Sequence, residues 1–239
     1  MLHYLSETDS TNTWVKQHLN QLQDGDGVYT QNQTAGRGRL GRQWKNMPGC
    51  GLYYTVLLRR PMKDPAALPL YASLAAAGAI RQLTGIVPQI KWPNDLLING
   101  KKVTGILCES VGENYLCGIG INLAHPQSYF QQNDLPHGTS LLLAGADAAQ
   151  PARLAKQLAE YMQQLFSPAQ TKVFCEQGFV PFCEMYNQQC INLGKQVFFE
   201  GGNGVAECVD EHGHLLVRTE QGNLQVFTGE VSIQGIYGC

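Results

Sequence analysis

A short segment rich in glycine and arginine carries the strongest chemical signal in the sequence. Residues 36–42 read Gly-Arg-Gly-Arg-Leu-Gly-Arg, and Trp44 follows two positions later. Arginine binds phosphate and carboxylate oxygens through paired hydrogen bonds, while glycine lets the backbone approach a ligand closely. We therefore expect this segment, the arginine loop, to be mobile when empty and to become ordered over an anion, because its glycines make the free loop costly to order. Trp44 then offers a flat face to a planar group.

The arginine loop also matches the G-x-G-x-x-G pattern of dinucleotide-binding folds. That pattern binds a pyrophosphate only where a strand precedes it and a helix follows it. Here Pro48, Gly49 and Gly51 follow, so a long helix cannot start. The sequence also lacks the G-x-x-x-x-G-K-[ST] loop and the motifs of protein kinases. A solvated surface turn remains the alternative interpretation of the segment.

Two further groups of residues could bind a ligand. Residues 91–95 read Lys-Trp-Pro-Asn-Asp, and Pro93 should end a strand so that Asn94 and Asp95 lie at its end. Lys102 should open the next strand; the alternative for this group is a hairpin with a surface lysine. Residues 118–122 read Gly-Ile-Gly-Ile-Asn, where glycine in a strand allows close approach of a ligand, although this signal is weak alone.

The elements that must position these residues follow from hydrophobic periodicity. We expect helices over 9–23, 65–84, 151–166 and 171–189. We expect strands over 27–32, 51–61, 90–100, 101–111 and 115–124. From residue 192 turn clusters recur about every ten residues between short apolar runs, which is typical of a small β-barrel. The predicted fold class is α+β, with a mixed-sheet domain over 1–190 and a β module over 191–239.

Composition excludes several classes of protein. The 239 residues include 17 Lys and Arg against 19 Asp and Glu, a net charge of −2 that does not suit a protein coating nucleic acid or an anionic membrane. No signal peptide or long apolar stretch is visible, and the 8 Cys form no C-x-x-C pair. We therefore expect a cytoplasmic protein with reduced thiols, an exposed one at Cys239 among them.

Taken in order, these motifs resemble those of the biotin protein ligases. The resemblance rests on DSTN at 9–12, QTAGRGRLGRQW at 33–44, KWPNDLLINGKKVTGIL at 91–107 and GIGINL at 118–123. It implies a mixed-sheet catalytic domain of the biotin/lipoate ligase type with a C-terminal SH3-like barrel. It also implies two reactions: biotin and Mg²⁺-ATP give biotinyl-5′-AMP, and biotin then passes to a lysine of a biotin carboxyl carrier domain.

The resemblance also assigns expected roles to residues. The biotin site would comprise Ser10, Thr11, Asn12, Gln33, Gly36, Arg37, Gly38, Arg39, Lys102 and Gly105. The ATP site would comprise Arg37, Arg39, Arg42, Trp44, Asn94, Lys102 and Asn122, with Mg²⁺ carried by ATP and its protein ligands unknown. The catalytic residues would be Lys102, Arg39 and Asp95. Joining a carboxylate to a phosphate brings two anions together, so fixed cations suit the first step. Asp95 would orient and help deprotonate the incoming lysine, or would only shape a turn.

Rival functions remain open on the sequence alone. A lipoate ligase shares the chemistry, but its loop motif is missing here. A DNA-binding repressor would need a reading domain, for which the first motif at residue 9 leaves no room, so we expect no nucleic-acid partner and no membrane. A biotin-binding protein without catalysis would not need the full set of cations. The expected partner is the carrier domain of a biotin-dependent carboxylase, and the protein could be a monomer or a homodimer.

Overall fold

The computed structural model describes residues 1–227 and 229–236, so Cys239 lies outside the described residues. The helices are α1 (Thr11–Gln17), α2 (Leu68–Thr84), α3 (Gln127–Gln132), α4 (Pro151–Leu165), α5 (Pro168–Gln177) and α6 (Cys183–Gln189). The strands are β1 (Leu2–Tyr4), β2 (Gly27–Thr30), β3 (Gly51–Leu58), β4 (Gln89–Lys91), β5 (Asp95–Ile98), β6 (Lys101–Val111), β7 (Asn114–Asn122), β8 (Gln196–Phe199), β9 (Gly202–Val209), β10 (Leu215–Thr219), β11 (Gly222–Val226) and β12 (Val231–Ile233).

The first seven strands form one mixed sheet. Their order is β1-β2-β3-β7-β6-β5-β4, with β1 and β2 parallel and the remaining neighbours antiparallel. The last five strands form a second sheet, β11-β10-β9-β8-β12, in which every pairing is antiparallel. This arrangement confirms the α+β class, and the second sheet is consistent with an SH3-like module.

The central strand β3 shows how the mixed sheet divides its two faces. Side chains alternate across a strand, so Leu52, Tyr54 and Val56 face the main core, against which α2 and α4 pack. Leu57 faces the other side, where α1 covers a small apolar cluster. Because that cluster reaches only part of this face, the rest of it is free to form a binding site.

Two predicted helices differ from the structure. The helix predicted over 9–23 is α1, which ends at Gln17. The prediction of a single helix over 171–189 was wrong, since α5 ends at Gln177. The next residue, Gly178, has a φ of +73°, which is unfavourable for residues other than glycine. Pro181 lies in a short 3-10 segment before α6 begins. The sequence therefore indicated helical content here, and the break at Gly178 was missed.

The β module is anchored to the mixed sheet through Trp92, a residue of the 91–95 motif. The indole is 1% exposed, and its Nε1–H donates to the carbonyl oxygen of Gly213 in the β9–β10 turn at 2.9 Å. The backbone N–H of Trp92 donates to Oδ1 of Asn192 at 2.8 Å. The turn that carries Asn94 and Asp95 is thus held from both sides by the C-terminal part of the chain.

Within residues 1–227 and 229–236, no helix has both the length and the apolar character needed to span a membrane.

Replacing Trp92 with Phe should lower the free energy of unfolding by about 2 kcal/mol. The change leaves a buried carbonyl without its donor and opens a small cavity. Urea denaturation followed by circular dichroism measures this, with Trp14→Phe as the control, because Trp14 is partly exposed on α1. Equal losses in the two variants would contradict the anchoring role.

The side chain of His125 is completely buried. Its ring lies 4.6 Å from that of Tyr129, and neither ring nitrogen has a hydrogen-bond partner among the described residues. Burial lowers the pKa of His125 to about 4. Below pH 6.5 the unfolded chain therefore binds a proton at this position that the folded protein does not, so stability is lost as the pH falls from 6.5 towards 4.

The His125→Phe variant should accordingly lose about 2 kcal/mol less than the parent protein between pH 7.5 and 4.5. Urea denaturation at a series of pH values measures the difference. At pH 7.5 the variant should be about as stable as the parent, which serves as the internal control. Parallel pH profiles for the two proteins would show that His125 does not cause the acid sensitivity.

Candidate functional site

The uncovered face of the mixed sheet carries a cleft of about 450 Å³. Its walls are the start of α1, the arginine loop, the turn after Lys91, the segment around α3 and residues 229–232 of the β module. The cleft therefore collects all four sequence motifs. The predicted site residues that line it are Ser10, Thr11, Asn12, Gln33, Arg37, Gly38, Arg39, Arg42, Trp44, Asn94, Asp95, Lys102, Gly105 and Asn122.

Gly36 is the one predicted site residue that does not line the cleft. Its carbonyl accepts the N–H of Trp44 at 2.9 Å, and a Cβ at this position would come within 2.5 Å of the backbone oxygen of Trp44. Gly36 is thus needed where the two ends of the loop meet.

The floor of the cleft is made of glycines on paired strands. Gly105 of β6 and Gly120 of β7 are direct partners in the sheet, and the indole of Trp44 lies over both. A Cβ on Gly105 would come within 2.5 Å of Cζ3 of Trp44. The ammonium of Lys102 lies 5.4 Å from the centre of the Trp44 ring, a favourable cation–π distance. Absence of side chains on the floor is what gives the cleft its depth.

One end of the cleft is neutral and rich in hydrogen-bonding groups. Both the backbone N–H and the hydroxyl of Thr11 donate to Oε1 of Gln33, at 2.8 and 3.1 Å. Thr55 on β3 lies 2.8 Å from Oγ1 of Thr11 and 2.7 Å from Oδ1 of Asn12. Ser10, Thr11, Asn12 and Gln33 are each less than a tenth exposed. This end can bind a small polar group that both donates and accepts hydrogen bonds.

The opposite end holds the cations. Lys102 forms an ion pair with Asp95 at 2.7 Å, and Asp95 is 5% exposed. Arg39 donates to Oδ1 of Asn94 at 2.8 Å and to the carbonyl of Gly229 at 3.1 Å. Asn94 is itself held by a 2.9 Å bond to the carbonyl of Ile106. The positive charges of Lys102 and Arg39 therefore flank one strand-end turn.

The outer rim is closed by the β module. Arg42 forms an ion pair with Glu230, including a hydrogen bond of 2.7 Å from its second terminal nitrogen. Asn122 lies deeper, where its amide donates to the carbonyl of Thr139 at 3.0 Å. The module thus supplies part of the site wall, a contribution that the sequence reasoning did not foresee.

Sequence reasoning also missed Glu109. Its carboxylate binds Lys16 at 2.7 Å, Asn12 at 2.8 Å and Arg37 at 3.1 Å. Burial alone would raise the pKa of Glu109, but the hydrogen bonds from Lys16 and Asn12 and the charges of Lys16 and Arg37 outweigh it and lower the pKa. Alternation along β6 was an available signal, because Glu109 shares a strand face with Gly105.

No group of three or more His, Cys, Asp or Glu in the described part of the chain could hold a metal ion. The cations, the glycine floor and the polar end together suit an elongated anion with a polar head, joined at its acidic end to a phosphate group.

The sequence of this chain is similar to those of known proteins. A sequence model of the Biotin/lipoate A/B protein ligase family matches residues 4–124. The Biotin--[acetyl-CoA-carboxylase] ligase of Paracoccus denitrificans is 31% identical over 250 residues, which cover 97% of this chain and all of that protein. The Bifunctional ligase/repressor BirA of Bacillus subtilis is 29% identical over 225 residues, which cover 90% of this chain and 68% of that protein.

The structural comparison agrees with the sequence comparison. A biotin protein ligase from Aquifex aeolicus, solved in complex with biotin and ATP, superposes with a TM-score of 0.80 at 29% identity and covers 98% of both chains. Motifs, fold and cleft therefore point to one family. The chain belongs to the biotin/lipoate A/B protein ligase family, within which it is a biotin ligase.

Proposed function

We propose that this protein activates biotin with ATP and transfers it to a specific lysine of a biotin carboxyl carrier domain. The observation that carries the proposal is the placement of Lys102, Arg39 and Asp95 around one turn, above a glycine floor and facing a neutral polar end. This arrangement has a place for each part of the reaction: the biotin head, the carboxylate, the α-phosphate and the incoming amine.

The neutral end suits the ureido ring of biotin. That ring offers one carbonyl oxygen and two N–H groups, and Ser10, Thr11, Asn12 and Gln33 supply hydroxyl and amide groups of both kinds. The aliphatic chain of biotin would then run from this end towards Lys102. Gly105 and Gly118 let Trp44 and Asn12 pack closely against the floor, since a Cβ on Gly105 would collide with the indole of Trp44 and a Cβ on Gly118 with the amide of Asn12.

In the first step a carboxylate oxygen of biotin attacks the α-phosphorus of ATP, and pyrophosphate leaves. Lys102 and Arg39 would neutralise the carboxylate and the crowded phosphate, with Arg42 on the pyrophosphate side and Trp44, Asn94 and Asn122 around the nucleotide. Mg²⁺ would enter with ATP and reduce the repulsion between its phosphates. The protein's own contribution is positioning and charge, because the step needs no protein nucleophile.

In the second step the amine of the carrier lysine attacks the carbonyl carbon of biotinyl-5′-AMP, and AMP leaves. A free lysine amine has a pKa near 10.4, so at pH 7 it is mostly protonated and must lose a proton before it reacts. Asp95 lies within the cationic end and would orient this amine and accept its proton. Its present partner, Lys102, would then turn to the phosphate.

The division into a catalytic domain over 1–190 and a module over 191–239, a cytoplasmic location, and a monomeric or dimeric state remain predictions. A lipoate ligase is disfavoured because the named relatives that match over most of the chain are biotin ligases. The absence of repressor activity is also a prediction, because bifunctional ligase/repressors are among the similar proteins.

The activity should appear as a covalent mass increase on a carrier domain. We expect a purified biotin carboxyl carrier domain, incubated with this protein, ATP and Mg²⁺, to gain the mass of one biotinyl group, because Lys102 and Arg39 can neutralise the two anions to be joined. Intact-mass spectrometry measures the change. Lipoate in place of biotin, and a carrier domain with its acceptor lysine changed to Arg, are the controls. Labelling by lipoate alone, or no labelling at all, would overturn the proposed function.

Replacing Asp95 with Asn should separate the two steps. Transfer from preformed biotinyl-5′-AMP should fall about 100-fold, because a general base typically contributes at least this much. Pyrophosphate formation from biotin and ATP should change far less, and the transfer rate of the variant should recover as the pH rises and the lysine deprotonates unaided.

Single-turnover transfer assays between pH 7 and 9.5 measure these effects, with exposed Asp147→Asn as the control. Normal transfer by the Asp95→Asn variant would remove Asp95 from the second step. An equal loss in both steps would instead show that Asp95 only maintains the turn.

A further inference from the structure

One carboxylate joins three segments of the chain beside the cleft. Glu109 of β6 binds Nζ of Lys16 and Nδ2 of Asn12, both on α1, and the two terminal nitrogens of Arg37 at 3.1 and 3.3 Å. Its side chain is 17% exposed and does not line the cleft. Glu109 therefore contacts residues of the site without occupying the space of a ligand.

The charge of Glu109 is required where it lies. Lys16 and Arg37 both point at it from opposite segments, so without the carboxylate two cations would face each other in a half-buried place. Their charges, with the amide of Asn12, hold the pKa of Glu109 below its usual value despite burial. The carboxylate is therefore ionised throughout the neutral range.

Glu109 also fixes the direction of the Asn12 amide. The NH₂ group of Asn12 donates to Glu109 at 2.8 Å and to the carbonyl of Leu107 at 3.2 Å. Its oxygen is consequently turned towards Thr55 and the glycine floor. The polar end of the cleft thus presents an acceptor at this position because Glu109 and the carbonyl of Leu107 both accept from the NH₂ group of Asn12.

The arginine loop is attached to the rest of the protein through its three arginines. Arg39 contacts Asn94 and Gly229, and Arg42 contacts Glu230. Under the proposed function both of these guanidinium groups turn towards the phosphates of ATP, so these two attachments are exchanged when ligand binds. The Arg37–Glu109 pair lies beside the neutral end, next to Asn12. Of the contacts made by the three arginines, this pair alone can remain unchanged when ligand binds.

We propose that Glu109 is a positioning residue that latches the arginine loop over bound biotin and biotinyl-5′-AMP. This inference rests on the proposed function and adds a task to it, which is retention of the activated intermediate. Released adenylate reacts with water at its carbonyl carbon to give biotin and AMP, so each escape wastes one ATP. Arg37 then serves loop closure through Glu109 rather than contact with the phosphate.

The Glu109→Gln variant tests the latch. An amide has one acceptor oxygen in place of two and presents an NH₂ group to Lys16 and Arg37, which are donors only. Biotinyl-5′-AMP should dissociate about tenfold faster from the variant, since charge-assisted hydrogen bonds are the stronger class. The ratio of pyrophosphate released to biotin transferred should rise from near one to about three or more. Trypsin should also cleave the biotin-bound variant faster within the arginine loop.

Three further variants make the outcome decisive. Glu207→Gln removes the carboxylate of an exposed ion pair on the β module and should behave like the parent protein. Lys16→Met leaves the Arg37–Glu109 pair intact and should keep the ratio near one. Glu109→Asp keeps the charge on a shorter side chain and should give an intermediate ratio, and it replaces Glu109→Gln as the test if that variant does not fold.

The outcomes separate the latch from the proposed function. If the parent protein biotinylates the carrier domain and the Glu109 variants keep its adenylate dissociation rate and product ratio, the latch is overturned and the ligase function stands. If the Lys16→Met variant releases biotinyl-5′-AMP as fast as the Glu109→Gln variant, Glu109 acts through α1 and the latch is again overturned. If the parent protein labels no carrier domain, the proposed function itself has failed.

Discussion

The site must concentrate positive charge in a chain whose net charge is −2. Under the proposed function the cleft must hold the carboxylate of biotin beside the triphosphate, two anions that repel each other. The cations that would bind them repel one another when the cleft is empty. In the structure three of these cations have a carboxylate partner: Asp95 for Lys102, Glu109 for Arg37, and Glu230 for Arg42. Arg39 instead donates to the neutral oxygens of Asn94 and Gly229. Under the proposed function, binding of substrate would exchange these partners, which costs less than leaving a buried charge unpaired.

The partners differ in how readily they can be exchanged. Glu230 is half exposed and comes from the β module, so solvent screens its pair with Arg42 and an incoming phosphate can replace it. Asp95 and Glu109 are largely buried, and their pairs are correspondingly less screened. Under the proposed function, one end of the arginine loop would stay attached while the other turns to the nucleotide.

The β module takes part in the site and in its support. Trp92 ties the 91–95 motif to the β9–β10 turn by a buried hydrogen bond, and residues 229 and 230 touch Arg39 and Arg42. The turn that carries Asn94 and Asp95 is therefore positioned by both parts of the chain. Loss of the module would disturb this turn as well as the rim of the cleft.

The motifs and their order were sufficient to predict the fold class and the family resemblance, and every predicted site residue except Gly36 lines the cleft. Glycine, arginine and lysine at these spacings impose local geometry and charge. The sequence did not indicate which residues pair across the sheet. Strand register places Gly105 opposite Gly120 beneath Trp44. The closure of the loop leaves Gly36 outside the cleft and brings Arg37 to Glu109, 72 positions along the chain. The sequence by itself determined which chemical groups were available. Only the tertiary structure decided which cation each carboxylate neutralises, because partners distant in the chain are chosen by packing.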